Sequence, residues 1–141
     1  MEPTNKKVSL LRIVAATIYD SLLMLGVWFL VGSLALSIKF VFTGEVSSLN
    51  PIAGMSLVIL STWLYFALFW IYGGKTLGMS SWKLRIISQN GNQITLIQTI
   101  IRFLSNILTI SLAGIPLFFR QINKNNKSLS DLLSKTSIIS D

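Results

Sequence analysis

Residues 52–72, IAGMSLVILSTWLYFALFWIY, are the stretch that decides the fold. They form an apolar run without a single charged side chain. The hydrocarbon core of a bilayer is about 30 Å thick, so about 20 residues of helix are enough to cross it. We therefore predict a transmembrane helix over 52–72, which follows Pro51 and ends at the Gly73-Gly74 pair.

The composition of the whole chain is typical of a membrane protein. Of its 141 residues, 52% are hydrophobic and only 12% are charged, whereas a soluble domain has about 25% charged residues. The length suits one domain, which we place at 8–140. The net charge of +7 is carried beside the apolar runs, which favours an anionic lipid surface over nucleic acid as the partner.

Two further apolar segments flank this central helix. The first, at 11–38, contains a single acid, Asp20, and is too long for a signal peptide, so we interpret it as a transmembrane helix. The other, at 96–119, opens with a capping box of Thr95 and Gln98. It contains Arg102 and is interrupted by the proline at 116, which predicts a third helical segment that is broken or re-entrant.

Between the second and third segments lies YGGKTLGMSSWKLRI, residues 72–86. It lacks the upstream glycine of a phosphate-binding loop, which excludes that site on spacing. Its basic and apolar residues favour a short amphipathic segment at the membrane surface, with a solvated loop as the alternative. Next to it, Asn90-Gly91 predicts a small cytoplasmic β-hairpin over 84–95. The fold class is thus an all-α membrane protein with a minor β-hairpin.

Basic residues mark the cytoplasmic side of a membrane protein. They are concentrated at the N-terminus and in the second link, so we expect both on that side. The basic tail, 120–141, can lie on either side of the membrane. It lies outside if 96–119 spans fully, and inside if the chain turns back. We favour the inside, where 136–140 would reach 84–88.

Three charged residues stand in a characteristic order along the chain. Arg12 and Asp20 lie in LRIVAATIYD, and Asp131 lies in SLSDLLSKT. With the central YGGKTLGMSSWKLRI they resemble the RDD family of bacterial membrane proteins, named for one Arg and two Asp. The resemblance covers roughly 10–140. It departs from the family pattern at Leu77, Met79 and Ser130, where Pro, Lys and His are usual.

The resemblance implies an inner-membrane protein of several spans with a cytoplasmic N-terminus, for which transport is often suggested. Asp20 is the sharpest functional candidate, because a carboxylate within a span is costly unless it is paired or protonated. It is interpreted either as a proton or cation site, or as a packing group that bonds Ser, Thr or Arg102. Arg12 can bind a lipid phosphate, pair with Asp131, or only set the topology.

We expect a transport-related protein that is not an enzyme and that has no cofactor or metal, because no catalytic pair or ligand cluster is visible. The alternative is an accessory or scaffold protein that packs against a larger partner. Lys75 and Arg85 are expected to hold anionic lipids. Three short segments can hardly enclose a pathway, so a homo-oligomer or a larger membrane partner is expected.

Overall fold

A computed structural model describes residues 8–112, 122 and 127–141. In chain order the elements are α1 (Leu10–Thr43), α2 (Pro51–Gly73), α3 (Leu77–Ser81), β1 (Leu84–Ser88), α4 (Leu96–Ser111), α5 (Leu129–Leu133) and β2 (Thr136–Ser140). Two long apolar helices, one shorter apolar helix and a two-stranded sheet confirm the predicted fold class.

The helices α1 and α2 are both long and apolar enough to cross a membrane. Asn50 accepts a hydrogen bond from the Ile52 N–H and Pro51 opens α2, while Gly74, at φ 64°, ends it as predicted. The Trp28 indole N–H donates to the Thr62 hydroxyl at 2.8 Å and ties the two helices together.

The first helix is longer than predicted at both ends. Its 34 residues span about 51 Å, against about 35 Å for the 23 residues of α2. Nothing breaks the helix at Lys39, whose ammonium instead donates to the Ser48 carbonyl at 2.6 Å, and Gly44, at φ 70°, ends it. The N-terminal part of α1 packs beside α3, which follows the C-terminal end of α2.

The predicted β-hairpin over 84–95 is half right. Residues 84–88 do form a strand, but its partner is β2, with Leu84 opposite Ser140 and Ser88 opposite Thr136. Asn90-Gly91 does make a turn, in which the Gly91 N–H donates to the Ser88 carbonyl at 3.0 Å. The chain then runs without a strand to Thr95. Thr95 is the N-cap of α4 and not the end of a second hairpin strand.

Pairing of β1 with β2 places the tail at the same end of the molecule as the second link. That agrees with the turned-back arrangement, and the pairing of 136–140 with 84–88 is confirmed. The helix α4 has 16 residues, about 24 Å, which is shorter than the hydrocarbon core. The predicted break at 113–116 and the rest of the third segment lie outside the described residues.

An internal repeat accompanies this sheet. Residues 76–88, TLGMSSWKLRIIS, and 128–140, SLSDLLSKTSIIS, each form a capped helical turn, a lysine with positive φ and a strand. We call them the first and second turn–strand units. The lysines are Lys83, at φ 53°, and Lys135, at φ 51°. Since Ile86 pairs with Ile138 at the middle of both strands, an approximate twofold axis relates the units.

Candidate functional site

Asp20 is held by the first turn–strand unit and by α2, and its hydrogen-bond donors among the described residues are all neutral groups. Its carboxylate accepts a hydrogen bond from the Thr76 hydroxyl, one from the Gly78 N–H at 2.9 Å and one from the Tyr65 hydroxyl at 3.3 Å. Only 3% of the residue is exposed. All three neighbours are neutral donors, an arrangement that suits an ionised carboxylate, which only accepts.

The local sequence explains why these donors face α1. Thr76 is the N-cap of α3, and its hydroxyl accepts from the Met79 N–H at 3.2 Å while donating to Asp20. Gly78 lets the turn come close, since a Cβ there would lie 2.3 Å from the Ala16 carbonyl oxygen. Ala16 is 2% exposed, and α3 packs against α1 at this small residue.

Within residues 8–112, 122 and 127–141, no lysine or arginine forms an ion pair with Asp20. The predicted pairing of Asp20 with Arg102 is therefore wrong, and the predicted bonding to a threonine is right. Arg102 lies on α4, where its guanidinium is already engaged by the second turn–strand unit.

Arg102 and Asp131 form a buried ion pair. The Arg102 Nη1 lies 2.8 Å from Asp131 Oδ1, and the two side chains are 3% and 1% exposed. The same nitrogen donates to the Thr136 hydroxyl at 2.5 Å. The second carboxylate oxygen of Asp131 accepts from the Ser128 N–H at 3.0 Å, which completes a capping box for α5. Asp131 is thus both a capping residue and an ion-pair partner.

Trp70 supports this pair from α2. The guanidinium carbon of Arg102 lies 5.6 Å from the centre of the Trp70 ring, which is cation–π distance. Two N–H groups here, Arg102 Nε and Trp70 Nε1, are buried and have no hydrogen-bond acceptor within the described residues. The Trp70 ring thus lies beside the guanidinium whose Nη1 donates to Asp131.

The other predicted charged residues lie outside this centre. Arg12 is exposed, and its predicted pairing with Asp131 is wrong because Arg102 occupies that carboxylate. Lys75 donates to Asp141 Oδ2 at 2.5 Å. Arg85 Nε lies 3.3 Å from the other oxygen without hydrogen-bond geometry. The hydrogen bond from Lys75 is the main reason why the pKa of Asp141 is lowered.

The predicted amphipathic segment packs largely within the protein. Met79 and Leu84 are 8% and 0% exposed and belong to the core, whereas Leu77 and Trp82 are 46% and 43% exposed. Two of the four apolar side chains expected at the membrane surface therefore bury themselves against the protein.

A cavity of about 300 Å³ joins the two charged centres. Asp20 lies on its wall from α1, and Arg102 and Asn106 line it from α4. The remaining lining is mostly apolar, including Met24, Trp28, Phe66, Trp70, Met79 and Phe103. The Asp20 carboxylate and the Arg102 guanidinium thus both border a mostly apolar space between the helices.

The family model for RDD matches residues 9–135. The chain belongs to the RDD family. No curated protein and no solved structure gives a significant match. Of the three residues taken to name the family, Asp20 and Asp131 anchor the two turn–strand units of this RDD protein, while Arg12 lies exposed at the start of α1.

Two features of the RDD site were absent from the sequence-based predictions. One is the set of hydrogen bonds from Thr76 and Gly78 to Asp20, and the other is the pairing of Arg102 with Asp131. The internal repeat was the available signal, because Leu, Lys and Ile-Ile-Ser recur in register 52 positions later, from 77 to 129. The repeat predicts that the two stretches form equivalent turns. In the structure, α1 packs against the first turn and α4 packs against the second.

Proposed function

We propose that this RDD protein is a transport-related membrane protein, not an enzyme, in which Asp20 is the site of a proton or a cation. One observation carries the proposal. The Asp20 carboxylate is buried on the wall of a cavity, and only neutral donors hold it within the described residues.

The charge balance of the cavity supports a cation. Arg102 is neutralised by Asp131, so these two residues and Asp20 together carry a formal charge of −1. A buried charge without a counter-ion is costly. The three donors offset part of that cost, and a proton or an exchangeable cation would offset the rest. If a basic side chain were paired with Asp20, the carboxylate would already be neutralised and would not attract a transported cation.

The proposed transport unit contains more than one chain. Only 6% of the most apolar window of α1, and 6% of that of α2, is buried within the protein. The helices of the described residues, two spans and a helix of about 24 Å, do not surround a path across a bilayer. We therefore propose a homo-oligomer, or a complex with a larger membrane protein, whose subunits cover the exposed faces of α1 and α2.

The proposed location is the bacterial inner membrane, with the N-terminus and both turn–strand units in the cytoplasm. The basic residues near these elements support that orientation, and Lys75 and Arg85, about one third exposed or more, would also meet anionic lipid headgroups. Single cysteines at the exposed positions Asn92 and Ser47 test it in this cysteine-free chain. Labelling of Asn92→Cys in intact cells would overturn the orientation.

The transport proposal is tested by ion flux into proteoliposomes. Asp20→Asn keeps the side-chain shape and removes the charge, and Glu45→Gln makes the same change at an exposed site beyond the far end of α1. We expect proton or monovalent-cation flux in the parent protein and in Glu45→Gln, and its loss in folded Asp20→Asn. Absence of flux in the parent protein, or unchanged flux in Asp20→Asn, would overturn the proposal.

The alternative is an accessory protein, and the exposed spans favour it. Phe29 on α1 is 75% exposed, so a partner helix can pack on that face. If the protein is a scaffold, Phe29→Ala should release a co-purifying membrane protein while Asp20→Asn retains it. If it is a transporter, Asp20→Asn should stop the flux whether or not another protein co-purifies.

A further inference from the structure

We infer that the cation bound at Asp20 is an organic ammonium ion with an apolar body. The inference rests on the proposed cation site and names its ligand class. Among the described residues, Asp20 is the one carboxylate on the wall of a space of about 300 Å³, which Arg102, paired with Asp131, also lines. That volume is at the lower end of the range of small-molecule pockets. A proton needs no such space.

The wall does not resemble a metal site. Calcium and similar hard ions take about six or more oxygen ligands. Within residues 8–112, 122 and 127–141, no three acidic, histidine or cysteine side chains gather to hold a metal ion. Both oxygens of Asp20 are already occupied by hydrogen-bond donors, so the carboxylate offers long-range attraction and little direct coordination.

The apolar lining supplies what an organic cation needs. Trp28 and Phe66 line the cavity and present aromatic surface, which attracts an ammonium through the ring quadrupole. Met24 and Met79 line it with flexible, polarizable side chains that adapt to irregular ligand shapes. An alkyl or aryl group would bury apolar surface here while its charged nitrogen lies towards Asp20.

The position of Asp20 favours access by such a molecule. Its partners Thr76 and Gly78 lie beyond the end of α2, so the carboxylate is level with the end of that span. From there the cavity extends between the helices to Thr62 and Thr109. An amphiphilic cation aligns at a membrane in the same way, with its charge at the interface and its apolar part inside.

The test compares two ligands that differ in charge alone. Phenyltrimethylammonium and tert-butylbenzene have nearly the same shape, since a carbon replaces the charged nitrogen. Binding to the purified full chain in nanodiscs is followed by tryptophan fluorescence, because Trp28 and Trp70 line the cavity. We expect saturable binding of phenyltrimethylammonium and a weaker, linear uptake of tert-butylbenzene by lipid.

Two pairs of variants locate the site. Asp20→Asn should weaken binding of phenyltrimethylammonium by about tenfold or more, whereas Glu45→Gln should leave it unchanged. Met79→Lys places an ammonium on the cavity wall and should abolish binding with Asp20 still present, whereas Met79→Leu should retain it. The second pair keeps the inference falsifiable if Asp20→Asn does not fold.

Failure of the inference and failure of the proposed function are distinguishable. Ion flux that depends on Asp20, without saturable binding of phenyltrimethylammonium, overturns the organic cation and leaves the transport proposal standing. Saturable binding that Asp20→Asn and Met79→Lys both abolish, without any flux, supports the inference and overturns transport. Equal binding of the charged ligand and its uncharged isostere overturns the inference outright.

Discussion

The two turn–strand units bury an acid in opposite ways. In the first unit, Asp20 arrives from α1 and is met by the hydroxyls and the N–H of neutral groups. In the second, Asp131 belongs to the turn itself and is met by the guanidinium of Arg102 from α4. The same turn–strand element thus occurs twice. The first copy binds the Asp20 carboxylate through neutral donors, and the second copy contributes the Asp131 carboxylate that neutralises Arg102.

The difference separates the fixed ion pair of Arg102 and Asp131 from Asp20, the proposed site of an exchangeable cation. In the ion pair of Arg102 and Asp131, both side chains are below 5% exposure and each charge already has an opposite charge beside it. A carboxylate held by neutral donors stays attractive to any cation that reaches the cavity. The second unit is therefore the structural anchor of the protein, and the first is the candidate site.

Removal of one member of the ion pair is the strongest way to break the comparison. Arg102→Ala removes the guanidinium that pairs with buried Asp131 and should lower the free energy of unfolding by about 3–5 kcal/mol. Chemical unfolding in detergent micelles measures it. The double variant Arg102→Met with Asp131→Leu should recover most of the loss. A double variant as unstable as Arg102→Ala would contradict the ion-pair interpretation.

The close approach of α3 to α1 should show the next largest effect. In Gly78→Ala the new Cβ would lie 2.3 Å from the Ala16 carbonyl and 2.8 Å from the Asp20 carboxyl carbon. The backbone must move, at a cost of about 1–3 kcal/mol by the same unfolding measurement. The matched control is Gly54→Ala, within α2, where the added Cβ would meet no described atom within 4 Å apart from its chain neighbours and its own helix backbone. Equal stability of both variants would contradict the packing.

The same substitution in the two units sharpens the comparison. Asp20→Asn keeps one oxygen to accept from Gly78 and leaves no buried cation unpaired, so we expect a loss of about 1–2 kcal/mol. Asp131→Asn strands the Arg102 guanidinium and should cost about 3 kcal/mol or more. The thermal midpoints of the two variants, compared in one detergent, decide the order. The reverse order would show that Asp20 is the structural anchor.

The smallest effect belongs to the exposed contact that closes the sheet. Asp141 is hydrogen-bonded by Lys75, which lowers the pKa of its carboxyl from the ordinary value of 3.8. This stabilisation is fully present above pH 3.8 and is lost as pH falls through the lower, folded pKa.

An exposed pair of this kind contributes about 0–1 kcal/mol. Asp141→Asn should therefore lower the thermal midpoint slightly at pH 6, and the difference from the parent protein should disappear towards pH 2. The uncharged exchange Ser137→Ala on the same strand is the control. A difference that grows on acidification would contradict the sign of the effect.

Much of the architecture was predictable because it depends on local patterns. The uncharged run at 52–72 gave α2, and the Thr95–Gln98 capping box gave the start of α4, since both signals act over a few turns of one helix. The hairpin was half wrong because an Asn-Gly turn specifies a reversal but not the partner of the preceding strand. That partner, β2, lies about 50 residues away along the chain.

By itself, the sequence determined a membrane protein with two spans, a third apolar segment and one acid within the first apolar run. These properties follow from hydrophobicity and length, which are sums along the chain. Only the tertiary structure decided that Asp20 meets Thr76 and Gly78 while Arg102 meets Asp131. The choice of partner for a buried charge depends on which segments pack together, because hydrogen bonds and ion pairs act over a few ångströms in space whatever the separation in sequence.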